Sequence, residues 1–400
     1  MKKIIPAVIG LGYVGLPIFL QVNKKFQSVG FDINAKRIKD LIDCHDTNNE
    51  FVSKELKIRN KSKFTRKIND LKKSNFFIVT VPTPVLNNKK PDLRPLKSAC
   101  EILKKVIKDD DIVFFESTVY PGVTRYLRNK YFKKKRIWIG YSPERINPGD
   151  KKNTIKTIKK IVSFDPCPKK IKSNILNVYR TITKNIILSN SIENAEMSKV
   201  IENIQRDINI AFMNEILMVS KKLNLNFKEV IKLAKTKWNF LNFSPGLVGG
   251  HCLPVDPFYL YHLAKRKNYN AKFMLAGRSV NDEVSKFIKD EIKKKIRKIK
   301  ANKILILGLS YKANVADSRN SLAIKIYLDL KKIYKKNLFG YDPIIDQKNQ
   351  NKYKLIKSLA NIDTYDLIIP LVNHKIFVQK FYNNFVKNKK RYYDPFNYFN

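Results

Sequence analysis

Cysteine is almost absent from this chain. Its four copies, at positions 44, 100, 167 and 252, are widely spaced and form no CxxC pair. A disulfide framework or a zinc knuckle needs more cysteines or closely spaced ligands, so the spacing argues against both and predicts no metal site. The wide spacing of the cysteines is compatible with a lone reactive thiol in a reducing compartment.

Long apolar runs are also missing. No stretch reaches the ~18 residues that a membrane-spanning helix needs. The first residues, MKKIIPAVIGLGYVGLP, resemble a signal peptide, but their glycines are placed as in a phosphate-binding loop and no small-residue cleavage site follows. We therefore expect a cytoplasmic protein of two or three domains with no membrane insertion.

Acidic residues are few: 34 against 80 lysines and arginines, a net charge of +46. Such a surplus can indicate nucleic-acid binding. The lysines are spread over the whole chain together with Asn, Ile, Tyr and Phe, residues with AT-rich codons, so genome composition could produce it. Diffuse charge supports only weak, salt-sensitive binding. We expect no specific nucleic-acid partner, although a phosphorylated small substrate would benefit from a positive field.

Glycine is scarce too, with 13 copies, yet three of them stand beside Cys252 in GLVGGHCLPVDP (246–257). Glycine permits positive φ and close approach of another molecule, and cysteine is a strong nucleophile. The stretch predicts either a site where a ligand meets Cys252 or a turn beside a structural cysteine. His251 is adjacent, but neighbouring residues on an extended loop point apart, which favours a structural or substrate-contacting role over a general base.

Apolar runs that end in polar turns fill the first half of the chain. They are KIIPAVI (3–9), SVGFDIN (28–34), NFFIVTVPTP (75–84), DIVFFESTVYPG (111–122), RIWIGYSPER (136–145), KIVSF (160–164) and KNIILS (184–189). Strands alternating with helical segments predict a parallel sheet covered on both faces. We place a Rossmann domain at residues 1–190.

Helical periodicity replaces this pattern from 191 to 298. The long segment after residue 190 carries Ile201, Ile204 and Ile208 at helical spacing, followed by Ala211 and Phe212. We expect Asn190 to cap a helix of ~45 Å, with Glu193 in capping-box style, that joins two domains.

Strand patterns return at 302–312, 337–343 and 365–374. They predict a second, smaller Rossmann-like domain at residues 299–400. The predicted fold class is α/β, with two doubly wound parallel sheets joined by a long helix and an all-α central domain at 191–298.

The GLGYVG segment has the G-x-G-x-x-G spacing of a dinucleotide-binding loop. Gly10 permits the tight turn, Gly12 admits the pyrophosphate and Gly15 lets helix and strand pack closely. Asp32, about 20 residues on, would bind the ribose hydroxyls and repel a 2′-phosphate. Arg37 could argue for NADP, but the Asp at the strand end predicts NAD. Further cofactor contacts are expected from Tyr13, Val14, Arg37 and Thr83.

The chain carries candidate groups for covalent oxidation chemistry at Cys252. A cysteine can trap an aldehyde as a thiohemiacetal, whose loss of hydride leaves a thioester that water cleaves. Asp256 lies one helical turn past Cys252 if a helix starts there, and Lys199 and Asn203 are four residues apart on one face of the long helix. A lysine and an amide there could hold an oxyanion and a water. The alternative for that pair is a solvated helix face.

Seven ordered motifs resemble the UDP-glucose/GDP-mannose dehydrogenase family across essentially the whole chain. They are GLGYVGLP, VPTP, STVYPG, SPERINPGD, AEMSKVIENIQRDINIAFMNE, PGLVGGHCLPVDPFYL and GLSYKANVADSRNS. SPERINPGD and GGHCLPVDPFYL look most like the branch that oxidises UDP-N-acetylhexosamines. The UDP-glucose branch typically has a second glutamate shortly after SPE, where this chain continues with Arg145 and Ile146.

The resemblance implies a four-electron oxidation at the sugar C6 with two NAD per turnover, feeding surface polysaccharide synthesis. It makes Cys252 the nucleophile, Lys199 and Asn203 the oxyanion holders, and Asp256 and Thr118 the organisers of water and proton transfer. Thr118 would also contact the cofactor. Glu144 resembles the family's acid/base glutamate.

Substrate contacts follow from the same resemblance. Expected residues are Glu144, Arg145, Lys199, Asn203, Phe243, Gly246, Lys312 and Arg319. Arg278 resembles an arginine that reaches the neighbouring subunit's substrate, which implies a homodimer. Arg125 stands where the family usually has an acid.

Three readings of the activity stay open at this stage. The first is a UDP-N-acetylglucosamine or UDP-N-acetylgalactosamine 6-dehydrogenase, and the second is a UDP-glucose or UDP-N-acetylmannosamine 6-dehydrogenase. The third, from another class, is a non-catalytic protein that binds dinucleotides and polyanions.

Overall fold

The computed structural model describes residues 3–48, 50–59, 61–86, 90–146, 154–250, 253–359, 362–379 and 391–399. The chain divides into two compact units. The first comprises Met1–Glu202 and Phe258–Tyr269, and the second comprises Asn203–Pro257 and Asn270–Asn400.

The first unit is built on an eight-stranded sheet. Its strands are β1 (Pro6–Ile9), β2 (Val29–Phe31), β3 (Lys63–Thr65), β4 (Phe76–Val79), β5 (Ile112–Phe115), β6 (Trp138–Tyr141), β7 (Lys160–Phe164) and β8 (Ile186–Ser189). They lie in the order β3-β2-β1-β4-β5-β6-β7-β8, and every neighbouring pair is parallel except β6 with β7. The order reverses between β1 and β4, which is where α/β sheets of this kind bind ligands.

Helices cover both faces of this sheet. They are α1 (Gly15–Asn23), α2 (Ala35–Ile42), α3 (Arg94–Lys104), α4 (Val123–Tyr131) and α5 (Lys169–Ile182). In β4, Phe77 and Val79 pack with α3 and α4, whereas Phe76 and Ile78 pack with α1, α2 and α5. Because both faces are buried, the strands read as continuous apolar runs rather than alternating ones. The predicted parallel sheet is confirmed.

The long helix α6 (Ile192–Lys222) begins in the first unit and continues in the second. Its cap differs from the expectation: the Ser191 hydroxyl, not the Asn190 side chain, accepts from the Asn194 N–H at 3.2 Å and also contacts Glu193 at 3.0 Å. Serine is as good a cap as asparagine, but with Ser191 as the cap the third helical residue is Asn194, so Glu193 does not complete the expected capping box. Ile204 and Ala211 are buried as predicted, whereas Ile201 and Phe212 are exposed.

The second unit contains the remaining elements. They are the end of α6, α7 (Phe227–Ala234), the first turn of α8 (Asp256–Arg266), α9 (Lys272–Ile299), β9 (Ile304–Leu307), α10 (Leu322–Tyr334), β10 (Leu338–Tyr341), α11 (Gln347–Tyr353) and β11 (Leu367–Pro370). The three strands form a parallel sheet in the order β10-β9-β11. One face of this sheet packs with α9 and α10, so the predicted second α/β region is confirmed.

Between α6 and β9 the described residues form helices and loops without a strand, as the periodicity predicts. The proposed domain boundaries at 190 and 298 stay a prediction. Within the described part of the chain, no helix is both long and apolar enough to cross a membrane.

Candidate active site

The glycine loop after β1 has the geometry that a dinucleotide requires. Gly10 has φ +94°, and a Cβ at Gly15 would lie 1.8 Å from the Gly10 carbonyl oxygen, so neither position accepts a side chain. At Gly12, by contrast, a Cβ would meet no atom of the described chain within 4 Å. The space beside Gly12 fits the close approach of a pyrophosphate at the start of α1.

Asp32 and Arg37 are both tied to this loop. Asp32 Oδ2 accepts from the Leu11 N–H at 2.8 Å. Arg37 is buried, and it donates to the Leu11 carbonyl at 2.9 Å and to Asp46 at 2.7 Å. The Arg37 guanidinium is held by Leu11 and Asp46 and so stabilises the loop. These contacts weaken the argument that Arg37 binds a 2′-phosphate. Its expected contact with the cofactor stays a prediction.

Two loops that follow neighbouring strands are joined near this site. The Thr83 hydroxyl donates to the Thr118 carbonyl at 2.7 Å. The buried hydroxyl of Tyr259, on α8, donates to the carbonyl groups of Thr83 and of Pro84. The fold thus brings together two residues expected to contact the cofactor, Thr83 from β4–α3 and Thr118 from β5–α4.

Glu196 is a residue that sequence reasoning missed. Its buried carboxylate accepts from the N–H groups of Gly122 at 2.6 Å and Thr124 at 2.9 Å, at the start of α4. Burial raises the pKa of Glu196 to about 7, against the effect of these hydrogen bonds. A carboxylate at a helix N-terminus satisfies unpaired amides there, so Glu196 fixes the end of the loop that carries Thr118.

Two predicted catalytic residues meet in the second unit. Asn203 Nδ2 donates to Asp256 Oδ2 at 2.5 Å, and both side chains are buried. Asp256 is the first residue of α8, and the one-turn relation expected between Cys252 and Asp256 stays a prediction. The pairing fixes the amide of Asn203 and one oxygen of Asp256 relative to each other. Lys199, one turn earlier on α6, is half-buried.

Glu144, the predicted acid/base group, lies in a buried ionic cluster of the first unit. Its Oε1 accepts from the N–H groups of Arg145 and Ile146, and its Oε2 lies 3.3 Å from Lys160 Nζ. Lys160 also contacts Glu116 at 2.6 Å. Among 80 basic residues, the sequence distinguishes Lys160 only by its place at the start of an apolar strand.

The two arginines discussed for the first unit have carboxylate partners. Arg145 Nη2 lies 2.7 Å from Glu202 Oε1 on α6. Arg125 contacts Glu193 and lies 3.0 Å from Asp165. In this chain an arginine at position 125 is therefore balanced by two acids, so the departure from the family pattern leaves no unpaired charge.

A buried chain of polar contacts links Gly246 with Arg278 in the second unit. The backbone of Gly246 exchanges two hydrogen bonds with Asn214, which donates to Asn281 at 2.8 Å. Asn281 donates to Asp207, whose carboxylate also lies 2.5 Å from Arg278 Nη1. Arg278 is 2% exposed in this single chain. Its expected contact with a neighbouring subunit stays a prediction.

The glycines before Cys252 have a partner within the chain itself. Gly250 has φ +88°, and a Cβ there would lie 2.7 Å from the Tyr311 ring. A Cβ at Gly249 would lie 2.6 Å from the Asn320 carbonyl oxygen. The close approach that glycine permits is thus made by the GLSYKANVADSRNS segment. His251 and Cys252 themselves lie outside the described residues.

The remaining expected residues lie as follows. Arg319 is exposed and pairs with Asp317 at 2.7 Å, whereas Lys312 is half-buried and its carbonyl accepts from Ser310 at 2.9 Å. Phe243 packs partly buried on the core of the second unit. Tyr13 and Val14 are half-buried in the glycine loop.

Three family models match nearly the whole chain. They describe the NAD binding domain (residues 3–183), the central domain (193–283) and the UDP binding domain (305–400) of the UDP-glucose/GDP-mannose dehydrogenase family.

Full-length relatives match as well. The chain is 42% identical to protein CapL of Staphylococcus aureus, over 96% of this chain and 93% of CapL. It is 42% identical to a UDP-N-acetyl-D-glucosamine 6-dehydrogenase of Salmonella typhi, over 93% of this chain and 90% of that protein. Among solved structures, a UDP-D-ManNAc dehydrogenase from Pyrococcus horikoshii has a TM-score of 0.82 and 28% identity, and covers 98% of this chain and 96% of its own.

Proposed function

Because the chain belongs to the UDP-glucose/GDP-mannose dehydrogenase family, we propose that it oxidises the C6 alcohol of a UDP-N-acetylhexosamine to the uronic acid, for surface polysaccharide synthesis. Membership makes it an NAD-dependent oxidoreductase that acts on a nucleotide sugar. The family does not favour the non-catalytic alternative. The observation that carries the proposal is the buried contact between Asn203 and Asp256, which joins two expected catalytic residues 53 positions apart.

The chain's residues divide the work as follows. Asp32 and the glycine loop hold NAD, which accepts hydride when bound. The C6 alcohol first loses a proton and a hydride to become the aldehyde. The Cys252 thiol adds to this aldehyde, and the resulting thiohemiacetal loses a second hydride to become a thioester, which water cleaves to the acid and the free thiol. The Lys199 ammonium and the Asn203 amide donate to the oxyanion, since both are donors on one helix face. Asp256, Thr118 and Glu144 position the water and exchange protons with it and with the alcohol.

Two of the other three thiols, those of Cys100 and Cys167, are poorly suited to the nucleophile's task. Burial raises the pKa of Cys100, with a smaller contribution from Glu101, and burial also raises the pKa of Cys167. The thiolate is the reactive form, so a raised pKa makes a cysteine inert near neutral pH. This supports Cys252 as the residue that bonds to the sugar.

The choice of sugar rests on two lines of support. The Salmonella typhi relative is named for UDP-N-acetyl-D-glucosamine. The UDP-glucose branch typically has a second glutamate shortly after SPE, whereas this chain continues after Glu144 with Arg145, which is paired with Glu202, and with Ile146. UDP-N-acetylmannosamine is the second candidate, because the Pyrococcus horikoshii structure carries that name. UDP-glucose is the third.

A homodimer is part of the proposal. Large apolar side chains of the second unit are exposed in the single chain: Phe212 is 52%, Trp238 87% and Phe273 72% exposed. Large apolar side chains left exposed in a single chain are candidates for burial in an interface. We place the subunit contact there. Arg278, which is buried beside Asp207 in the single chain, would have to turn away from that partner to reach the neighbouring subunit's substrate. Since UDP-sugars and NAD are made in the cytoplasm, we propose that compartment for the enzyme.

A panel of UDP-sugars tests the proposal. The purified protein is incubated with NAD and, in turn, UDP-GlcNAc, UDP-GalNAc, UDP-ManNAc and UDP-glucose, while NADH absorbance and the uronic acid are measured. We expect the highest kcat/KM with UDP-GlcNAc or UDP-GalNAc and two NADH per acid formed. A preference for UDP-ManNAc or UDP-glucose would refute the substrate assignment, and one NADH per sugar would refute the four-electron reaction.

A further inference from the structure

One buried cation serves two buried carboxylates in the first unit. Lys160 Nζ lies 2.6 Å from Glu116 Oε2 and 3.3 Å from Glu144 Oε2. The side chains of Lys160 and Glu116 are 0% exposed, and that of Glu144 is 7% exposed. The Tyr179 hydroxyl donates to the other oxygen of Glu116 at 2.9 Å.

These contacts hold the ammonium in a fixed place. A buried charge is tolerated only when it is paired and hydrogen-bonded. Burial opposes the charge of Lys160, but Glu116 and Glu144 outweigh it and raise the pKa of the ammonium. Burial raises the pKa of Glu116 to about 7, with Lys160 opposing. Burial also raises the pKa of Tyr179, which therefore stays a hydrogen-bond donor.

Both carboxylate oxygens of Glu144 have polar partners. Its Oε1 accepts from the N–H groups of Arg145 at 2.7 Å and Ile146 at 2.6 Å, and Lys160 faces Oε2. Arg145 is itself fixed through Glu202 on α6. A purely structural ion pair would need only Glu116. The Lys160 ammonium has three N–H donors, however, and it also faces Glu144.

We propose that Lys160 is a positioning residue for Glu144: its buried ammonium, anchored by Glu116 and Tyr179, orients the Glu144 carboxylate toward the substrate. The role rests on the proposed function, in which Glu144 exchanges protons during the oxidation. The titratable groups that face Lys160 are Glu116 after β5, Glu144 after β6 and, through Glu116, Tyr179 on α5.

The first experiment measures the contact without using activity. Lys160→Met alone would leave Glu116 as an unpaired buried charge and endanger folding. The double variant Lys160→Met/Glu116→Gln removes both members of the pair, which is often tolerated. Glu144→Gln is then introduced into the wild type and into the double variant, and urea midpoints are compared. We expect Glu144→Gln to lower the urea midpoint of the wild type and to leave the urea midpoint of the double variant unchanged. Equal losses in both backgrounds would overturn the proposal.

The second experiment separates positioning from support of the fold. For the double variant we expect kcat to fall about 10- to 100-fold, part of the ~10²–10⁴ that a proton-transfer group contributes, while KM changes little. The pH profile of its kcat/KM should differ from that of the wild type, because the cation that faces Glu144 in the wild type is absent from the variant. Glu116→Gln alone should cost much less, since Lys160 then still faces Glu144.

Lys159→Met is the matched control, since Lys159 is the exposed neighbour of Lys160 in sequence. It should keep both the wild-type kcat and the wild-type pH profile. A double variant that folds and keeps both as well would overturn the positioning role. If the wild type itself oxidised no UDP-sugar, the proposed function would fail, and the urea midpoints would still decide whether Lys160 holds Glu144.

Discussion

Asn203 and Asp256, 53 residues apart in the chain, share a buried hydrogen bond of 2.5 Å. Asn203 lies on α6 and Asp256 opens α8, so the contact joins two helices that are far apart in the chain. An amide whose proton is held by a carboxylate has one fixed orientation. The second Nδ2 proton of Asn203 is therefore left to point in one direction, as an oxyanion donor requires.

Removing the acceptor should cost rate. We expect Asp256→Ala to lower kcat about 10²–10³-fold, because the water loses a positioned proton acceptor and the Asn203 amide loses its orientation. KM for the UDP-sugar should change little. Asp290→Ala, at a 48% exposed side chain on α9, is the control and should be unaffected. Steady-state kinetics of the two variants check this, and a wild-type kcat for Asp256→Ala would rule out a role in the reaction.

Replacing the thiol should separate binding from turnover. Cys252→Ser should abolish steady formation of acid, since a serine hydroxyl does not form the thioester, while NAD binding and the unfolding midpoint stay unchanged. The half-buried Cys167→Ser should keep full activity. Product analysis and mass spectrometry for an acyl group on Cys252 make the comparison. Undiminished acid formation by Cys252→Ser would exclude the covalent route.

The sequence predicts the strands and helices better than it predicts which side chains contact one another. Continuous apolar runs such as FFIV in β4 predict a doubly covered sheet because both faces of each strand are buried. The four-residue step from Cys252 to Asp256 fits one helical turn, but α8 begins only at Asp256, so the sequence did not locate the start of this helix. The Asn203–Asp256 contact follows only from tertiary packing.

Buried charges are the hardest part to foresee. In the sequence Lys160 and Glu196 look like any other lysine and glutamate, and only burial and partners set them apart. The cap of α6 moved from Asn190 to Ser191 because both residues suit the position and local geometry chooses between them.

Asp32 should control the choice between NAD and NADP. In the structure its carboxylate is held at the glycine loop by the Leu11 N–H, where it would repel a 2′-phosphate. We expect Asp32→Ala to raise the KM for NAD about 10-fold or more, as one charged hydrogen bond contributes ~1.5–3 kcal/mol, and to narrow the preference over NADP. Asp43→Ala, at an exposed position after α2, is the control. An unchanged NAD/NADP ratio of kcat/KM would show that the ribose contact is misassigned.

Glu196 should make stability depend on pH. Its folded pKa is about 7 against an ordinary 4.5, so between those values the folded state holds a proton that the unfolded state has released. The contribution of this carboxyl to the free energy of unfolding therefore falls as pH rises from about 4.5 to 7, by at most ~3 kcal/mol. Glu196→Gln removes the titration. We expect the free energy of unfolding of the variant minus that of the wild type, measured by urea unfolding, to be larger at pH 8 than at pH 5. A difference that is equal at both pH values would show that Glu196 does not titrate in this range.

Charge placed on the exposed apolar surface of the second unit should break the proposed dimer. Phe212 is 52% exposed on α6, and Phe212→Lys would bury an unpaired ammonium if a second subunit packs there. We expect sedimentation velocity to show a dimer for the wild type and a dissociated or much weaker one for Phe212→Lys. Activity should fall with it, because Arg278 would no longer reach the partner's substrate. Ile42→Lys, at a 60% exposed side chain on α2, is the control and should remain dimeric. If Phe212→Lys sediments like the wild type, the subunit contact lies elsewhere on the surface.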